Sequence, residues 1–197
     1  MEKTTTGEFR IVEEPGKPLA MEPRKFSMWL FIGSVFMLFA ALTSAYIVRE
    51  AEGNWVYFEM PGVFTISTVI ILVSSITMQW AYWSAKKDNL ENIKILVAVT
   101  AVLGFAFLIL QWQGWVELVA SKIYFVGNPS GSFLYVLTGV HAIHIISAIV
   151  FLLIVLVAAY RYKVHSKNMV SMEMCTTYWH FLGGLWLYLF VFLLLYR

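Results

Sequence analysis

Five long apolar stretches set the class of fold that this chain can adopt. A bilayer core is about 30 Å thick, so a helix rising about 1.5 Å per residue needs roughly 20 mostly apolar residues to cross it. The chain is 60% hydrophobic and 13% charged, against roughly 25% charged residues in soluble domains. The sequence predicts an all-α integral membrane protein with five transmembrane helices, at about 26–48, 62–83, 93–116, 132–160 and 177–196.

The residues before the first span, 1–25, are polar and contain three prolines, and they lack the features of a signal peptide. We expect a polar cytoplasmic tail over 1–25 and one transmembrane domain over 26–197. The net charge of +2 gives no reason to expect a nucleic-acid partner.

The basic residues predict an orientation, because lysine and arginine collect on the cytoplasmic side of a membrane. Eleven of the fourteen lie in the N-terminal tail, the second connection or the fourth connection, and so on one side: Lys3, Arg10, Lys17, Arg24, Lys25, Lys86, Lys87, Lys94, Arg161, Lys163 and Lys167. Arg49, Lys122 and Arg197 lie on the other side. This pattern places the N-terminus inside and the C-terminus outside.

Histidines within the spans are candidates for function, because polar groups are costly in hydrocarbon. His141 and His144 lie three residues apart on one face of the fourth helix, and His180 is expected in the first turn of the fifth. About 24 Å separates His144 from the inner end of its helix, so we expect His180 at a different depth and no shared metal or haem. The alternative for each histidine is a hydrogen bond to a neighbouring helix. The single cysteine, Cys175, excludes an internal disulfide and multi-cysteine metal sites.

Most other polar or small intramembrane residues fit contacts between helices. Gln111 is expected to hydrogen-bond across helices. The remaining ones are Ser74, Ser75 and Thr77 in the second span, Ala41 and Ala45 in the first, and Gly183 and Gly184 in the fifth. The sequence offers no nucleophile–base pair and no phosphate-binding loop, so we expect no catalytic residue in this chain.

Two motifs resemble signatures of subunit III of the haem-copper oxidases. Residues 138–145, Thr-Gly-Val-His-Ala-Ile-His-Ile, resemble the family's Thr-Gly-Phe-His-Gly-Leu-His-Val. Glu173, followed by Tyr-Trp-His-Phe at 178–181 and by Trp186, resembles Glu-x4-Tyr-Trp-His-Phe-x4-Trp. Gln111 resembles the glutamine of the family's Gln-x-x-Glu-Tyr segment. The resemblance covers about 26–197, and five spans match the short form that lacks the first two of seven helices.

The resemblance implies a subunit without redox centres in the inner membrane of a bacterium. In the family, subunit I holds the haems and copper and reduces dioxygen to water with proton pumping, and subunit II receives electrons. Subunit III packs on subunit I, holds lipid between its helices and sustains proton uptake and turnover. The implied partners are therefore subunits I and II, membrane phospholipid and a larger respiratory supercomplex. The candidate lipid or subunit contacts are Glu173, Trp179, His180, Trp186, His141, His144 and Gln111.

Among these candidates, Glu173 and His180 lie seven residues apart, about two helical turns, and would share a face near the inner interface. Trp179 would add an interfacial ring there, and Lys163 and Lys167 would attract anionic headgroups. The alternative is that Glu173 only caps the helix start, where the dipole favours negative charge.

Three family acids are absent from the sequence: Val35, Gly114 and Gly183 stand in their places. Proton handling by those carboxylates is therefore not implied for this subunit. The same fold could serve a quinol oxidase or a nitric oxide reductase. Two other classes, a small transporter or channel and a membrane cytochrome, remain as alternatives, although the lack of mid-membrane acids disfavours a transporter.

Overall fold

The computed structural model of the chain describes residues 22–161 and 169–196, which form five α-helices. The helices are α1 (Pro23–Ala51), α2 (Gly62–Lys86), α3 (Leu90–Ala120), α4 (Pro129–Tyr160) and α5 (Val170–Leu195). All five are long and apolar enough to cross a membrane, so the prediction of an all-α, five-span membrane protein is confirmed. Residues 1–21, Lys163, Lys167 and Arg197, which the sequence predictions used, lie outside the described residues.

The helix starts follow from local sequence. Pro129 begins α4, where its missing N–H costs nothing, and the Asn128 side chain accepts the Ser130 N–H at 2.9 Å. Asn89 caps α3 in the same way, accepting the N–H of Asn92 at 3.3 Å. Before that cap, Asp88 has a φ of +53°, which reverses the chain tightly between α2 and α3.

The fifth helix begins at Val170, seven residues before the predicted span. The hydroxyls of Thr176 and Thr177 each donate to the carbonyl oxygen four residues back, at 2.8 Å, so both polar side chains have hydrogen-bond partners inside the helix. Hydropathy marks where a helix enters hydrocarbon rather than where it starts. His180 therefore lies in the third turn of α5, and the expectation of a first-turn histidine is wrong.

Helices α2, α3, α4 and α5 form a four-membered ring in which each packs on the next, and α5 closes the ring by packing on α2. Within the described residues, α1 packs only on α4 and α5 and does not reach α2. The outer face of α5 therefore lies uncovered between α1 and α2. We call the end of the bundle that carries the α2–α3 turn the hairpin end.

The other end of the bundle is tied together by the segment 52–61, which joins α1 to α2. Ser130 at the start of α4 donates its hydroxyl to the Val56 carbonyl at 2.8 Å, and the Asn128 amide donates to the Asn54 carbonyl at 3.2 Å. Tyr46 of α1 donates its hydroxyl to the Tyr196 carbonyl at 2.8 Å. These bonds hold the 52–61 segment against the start of α4 and hold α1 against the end of α5.

Candidate functional site: a groove along helix α5

The uncovered face of α5 is the floor of a groove that runs along the helix between α1 and α2. At the hairpin end a polar cavity of about 390 Å³ is lined by Gln79, Tyr82, Glu173, Thr176, Thr177 and His180. His180 also lines the next cavity, of about 480 Å³, whose other walls are Phe36, Phe39, Ala40, Phe181, Gly184, Leu185 and Tyr188. A third cavity continues from Gly184 and Tyr188 to Leu195. The groove is thus polar at the hairpin end and apolar along the rest.

The polar end holds an ion pair between two helices. Lys25 in the first turn of α1 donates its ammonium to the Glu173 carboxylate in the first turn of α5. Each side chain keeps about a third of its surface exposed. Solvent screens a pair of this exposure, so it contributes little to stability. Glu173 therefore joins α5 to α1 in addition to lying in the first turn of its own helix.

His180 joins α5 to α2 in the same cavity. Its Nε2 atom lies 3.0 Å from the Oε1 atom of Gln79, and in the tautomer with a proton on Nε2 it donates to that oxygen. The side chain is part-buried and borders both the polar and the apolar cavity. Glu173 and His180 do line one cavity, as their seven-residue spacing predicts.

Two tryptophans fill the centre of the helix ring instead of facing the membrane interface. Trp179 is 1% exposed and donates its indole N–H to the Ser74 hydroxyl at 3.1 Å. Trp186 is fully buried and donates to Thr68 at 2.9 Å. The expectation that Trp179 is an interfacial ring is therefore wrong, and both indoles serve contact between α5 and α2.

His141 is also fully buried, in a box of aromatic rings from three helices. The rings of Phe39, Phe107 and Trp186 lie with centroids 6.2, 6.0 and 5.2 Å from the imidazole. Neither ring nitrogen of His141 has a hydrogen-bond partner among the described residues. Gln111, 1% exposed, donates to the Ser67 hydroxyl at 3.0 Å, which confirms the predicted bond across helices.

The buried positions of Trp179, Trp186, His141 and Gln111 take these four candidates out of reach of lipid or a partner, so direct contact by them is not supported. His144 is part-buried beside α1, where Phe31 and Phe39 pack on its ring and its Nδ1 bonds the Val140 carbonyl at 2.8 Å. The candidates for contact with lipid or a partner subunit are thereby reduced to Glu173, His180 and His144.

The depths of the histidines differ from the expectation. Ser147 of α4 bonds Tyr178 of α5 at 2.8 Å, and Trp186 packs on His141, so residues 178–186 lie opposite 141–147. His180 and His144 are thus at similar depths, and the argument from depth is wrong. They point to different neighbours, His144 to α1 and His180 to Gln79 of α2. The described residues contain no group of three His, Cys, Asp or Glu side chains that could hold a metal.

The three positions without their family acids are occupied in ways that packing explains. Val35 is 3% exposed in the apolar core. A Cβ atom on Gly114 would lie 2.7 Å from the ring of Phe64, and one on Gly183 would lie 3.0 Å from the Ser75 hydroxyl. The space that a carboxylate would need at position 114 is filled by the phenylalanine.

Sequence reasoning missed Lys25 and Gln79, the partners of Glu173 and His180. Lys25 was counted with the polar tail, although Pro23 marks a helix start two residues earlier. The contact of Gln79 could have been predicted, since Gln79 is an amide within an apolar span and polar side chains in such spans form hydrogen bonds across helices.

The structure defines a multi-pass membrane protein, a bundle of five helices whose polar side chains join helices and whose open groove carries an ion pair. The family model for cytochrome c oxidase subunit III matches residues 16–197, and the chain belongs to this family. The chain is therefore a multi-pass membrane subunit of an oxidase complex.

Curated relatives agree with the family. The cytochrome c oxidase subunit 3 of Bacillus sp. (strain PS3) is 26% identical over 194 residues, covering 96% of this chain and 93% of that protein. The subunit 3 of Squalus acanthias is 29% identical, and that of Tetraodon nigroviridis is 31% identical, each over 191 residues that cover 88% of this chain and 70% of the relative. The short bacterial relative thus matches this chain nearly end to end.

Proposed function

We propose that this chain packs on subunit I of a bacterial proton-pumping cytochrome c oxidase, beside subunit II, and binds a membrane phospholipid in the α5 groove. In this role it carries no electrons. It sustains proton uptake and the working life of the enzyme while subunit I reduces dioxygen to water. The groove is the observation that carries the proposal, because it is an elongated, open site with the polarity of a phospholipid.

The dimensions of the groove suit one acyl chain. From Glu173 to Tyr188 the helix rises about 22 Å, whereas one leaflet of hydrocarbon is about 15 Å thick. Gly184 keeps the floor open, since a Cβ atom built there meets nothing within 4 Å. The headgroup would lie at the polar end, where Lys25 and Glu173 present both signs of charge and His180 offers a ring nitrogen.

We propose that the hairpin end faces the cytoplasm. Among the described residues, six basic side chains lie at or near that end, Arg24, Lys25, Lys86, Lys87, Lys94 and Arg161, against two at the other, Arg49 and Lys122. The excess of lysine and arginine marks the cytoplasmic side. The headgroup site is then in the inner leaflet of the bacterial plasma membrane.

A stripe of α1 beside the groove is the proposed contact with the partner subunit. Met37, Ala41, Ser44 and Val48 follow one another at helical spacing, and all four are exposed. Ala41 and Ala45 therefore do not serve packing inside this chain. Small residues let membrane helices approach closely, because helix association in lipid depends on packing rather than on a hydrophobic drive.

The lipid proposal is tested by filling the groove. Gly184→Leu puts an isobutyl group into the apolar cavity, and Gly139→Leu is the control, because it adds the same group to an open face of α4 that does not line the groove. We expect the purified oxidase with Gly184→Leu to lose bound phospholipid and to inactivate sooner during turnover, with an unchanged initial rate. Phospholipid is counted by mass spectrometry of the intact complex.

Glu173→Gln and His180→Leu are the matching headgroup variants and should act in the same direction. Full lipid content and full working life in all three variants would refute the groove site. Loss of the whole subunit from the complex with Ala41→Leu, but not with Gly139→Leu, would support the α1 stripe as the partner contact. Retention of the subunit in both would refute it.

A further inference from the structure

A second polar cavity lies on the α2–α3 hairpin, and none of its residues lines the α5 groove. It has a volume of about 430 Å³ and is lined by Trp80, Trp83, Ser84, Lys86, Lys87, Asn89 and Asn92. Trp80, Trp83, Ser84 and Lys87 recur at helical spacing on one face, and Lys86 lies to one side of that face. The asparagines come from the turn and the first turn of α3. The cavity is therefore built by both arms of the hairpin.

The lining of this cavity carries positive charge. Lys86 and Lys87 line the cavity. The two nearby acidic residues, Asp88 of the turn and Glu91 of α3, do not line it. The Lys86 ammonium lies over the ring of Tyr82, 4.7 Å from its centroid, and Tyr82 lines the polar cavity of the α5 groove, so Lys86 lies between the two cavities. An anionic group here would meet Lys87 and, at the border of the cavity, Lys86, whereas the α5 groove holds the ion pair of Lys25 and Glu173.

Hydrogen-bond donors and interfacial rings surround the two lysines. Trp80 and Trp83 are 58% and 53% exposed, although large aromatic side chains are usually buried. Exposed indoles at a helix end are typical of the membrane–water interface, where the ring is in lipid and the N–H can bond a headgroup. The Ser84 hydroxyl and the side-chain amide of Asn92 supply further donors.

An apolar furrow leads away from this cavity into the membrane. An adjoining cavity of about 360 Å³ shares Trp80, Ser84 and Asn92 with the first and adds Ile95 and Leu96 of α3. These two residues lie one turn further from the hairpin end, and Ile95 is 60% exposed. From the hairpin end toward the middle of the membrane, the surface thus carries first cations, then hydrogen-bond donors and then apolar side chains.

We propose that the hairpin cavity is a binding site for an anionic phospholipid from the leaflet at the hairpin end. Lys87 contacts the phosphate, with Lys86 at the border of the cavity. The indoles and Ser84 border the glycerol region, and one acyl chain follows Ile95 and Leu96. The site is separate from the α5 groove and differs from it in the charge of lipid it selects. If the hairpin end is cytoplasmic, the site faces the leaflet that carries a negative surface potential.

The test uses the intact oxidase complex in nanodiscs that contain photoactivatable phosphatidylglycerol in a phosphatidylcholine background. After irradiation, crosslinked peptides are mapped by mass spectrometry. We expect crosslinks within residues 80–96. The double variant Lys86→Gln/Lys87→Gln should reduce them about tenfold, since each lysine near an anionic surface strengthens binding several-fold. The control Lys94→Gln/Lys122→Gln removes the same charge outside the cavity and should leave them unchanged.

Four outcomes would overturn the proposal. One is an equal yield of crosslinks in the double variant and the wild type, and another is an equal loss in the control, which would show a general effect of surface charge. The third is equal crosslinking by a photoactivatable phosphatidylcholine, which would show a site without selection for charge. Inorganic phosphate should not displace the lipid probe at millimolar concentration, and displacement would show a site for free phosphate instead. Crosslinks to α5 report the groove separately, so the two sites can fail independently.

Discussion

Trp179 of α5 donates its indole N–H to the hydroxyl of Ser74 on α2, across 3.1 Å, with both side chains buried. The six-membered ring of the same indole lies against α3, where a Cβ atom on Gly104 would be 2.7 Å from its Cη2 atom. One side chain thus joins three helices of the ring. Gly104 on α3 leaves room for the indole ring, and Ser74 on α2 supplies the oxygen that accepts its N–H.

Removal of the acceptor should loosen this junction. Ser74→Ala leaves a buried indole N–H without a partner and should cost about 1 kcal/mol, the scale of polar contacts between membrane helices. Trp179→Phe removes the donor and also some packing. The loss of stability in the double variant should be smaller than the sum of the losses in the two single variants, because both single variants break the same hydrogen bond. The measurement is the temperature at which the subunit dissociates from the complex, with the exposed Ser27→Ala as control.

Gly114→Ala should destabilise the α2–α3 pair. The added methyl group would lie 2.7 Å from the Phe64 ring, so the ring or a helix must shift, at a cost of about 1–3 kcal/mol. Gly139→Ala meets nothing within 4 Å and should be neutral or stabilising, since alanine favours a helix over glycine. Thermal dissociation of the subunit separates the two. Equal stabilities for both variants would show that Phe64 moves aside without cost.

The Lys25–Glu173 pair should behave as an exchangeable ion pair. Glu173→Gln and Lys25→Gln should each lower stability only slightly, because both side chains are about a third exposed and solvent screens the pair. The swap Lys25→Glu/Glu173→Lys should restore that loss and keep the bound lipid of the groove. If the swap restores stability but not lipid, the position of the carboxylate itself binds the headgroup.

The topology can be read by labelling single cysteines in intact cells. In a Cys175→Ala background, which removes the buried native thiol, an impermeant maleimide should modify Lys122→Cys and spare Glu91→Cys. Both positions are exposed in the structure. Permeabilised cells should label both and serve as the positive control. Labelling of Glu91→Cys alone in intact cells would invert the proposed orientation.

Much of the site chemistry could be anticipated at the level of residue type. The apolar spans predict five helices, and the serine–threonine segment of α2 predicts contacts that the structure confirms, among them Thr77 with Thr100 at 2.8 Å. The spacing of Glu173 and His180 places them on one face. Their partners could not be predicted, because Lys25 and Gln79 lie 148 and 101 residues away along the chain.

The sequence by itself determined the class of this protein, because hydropathy over 20 or more residues and the paired histidine and Trp-His-Phe motifs are local properties of the chain. Only the tertiary structure decided which polar residues face the outside. Four candidate residues belong to the same motifs as Glu173 and His180 or resemble family positions, yet they are buried in the centre of the helix ring: Trp179, Trp186, His141 and Gln111. The physical reason is that an apolar helix has no hydropathy contrast between its faces, so packing against neighbours sets its rotation. The same packing leaves α1 apart from α2 and so opens the groove.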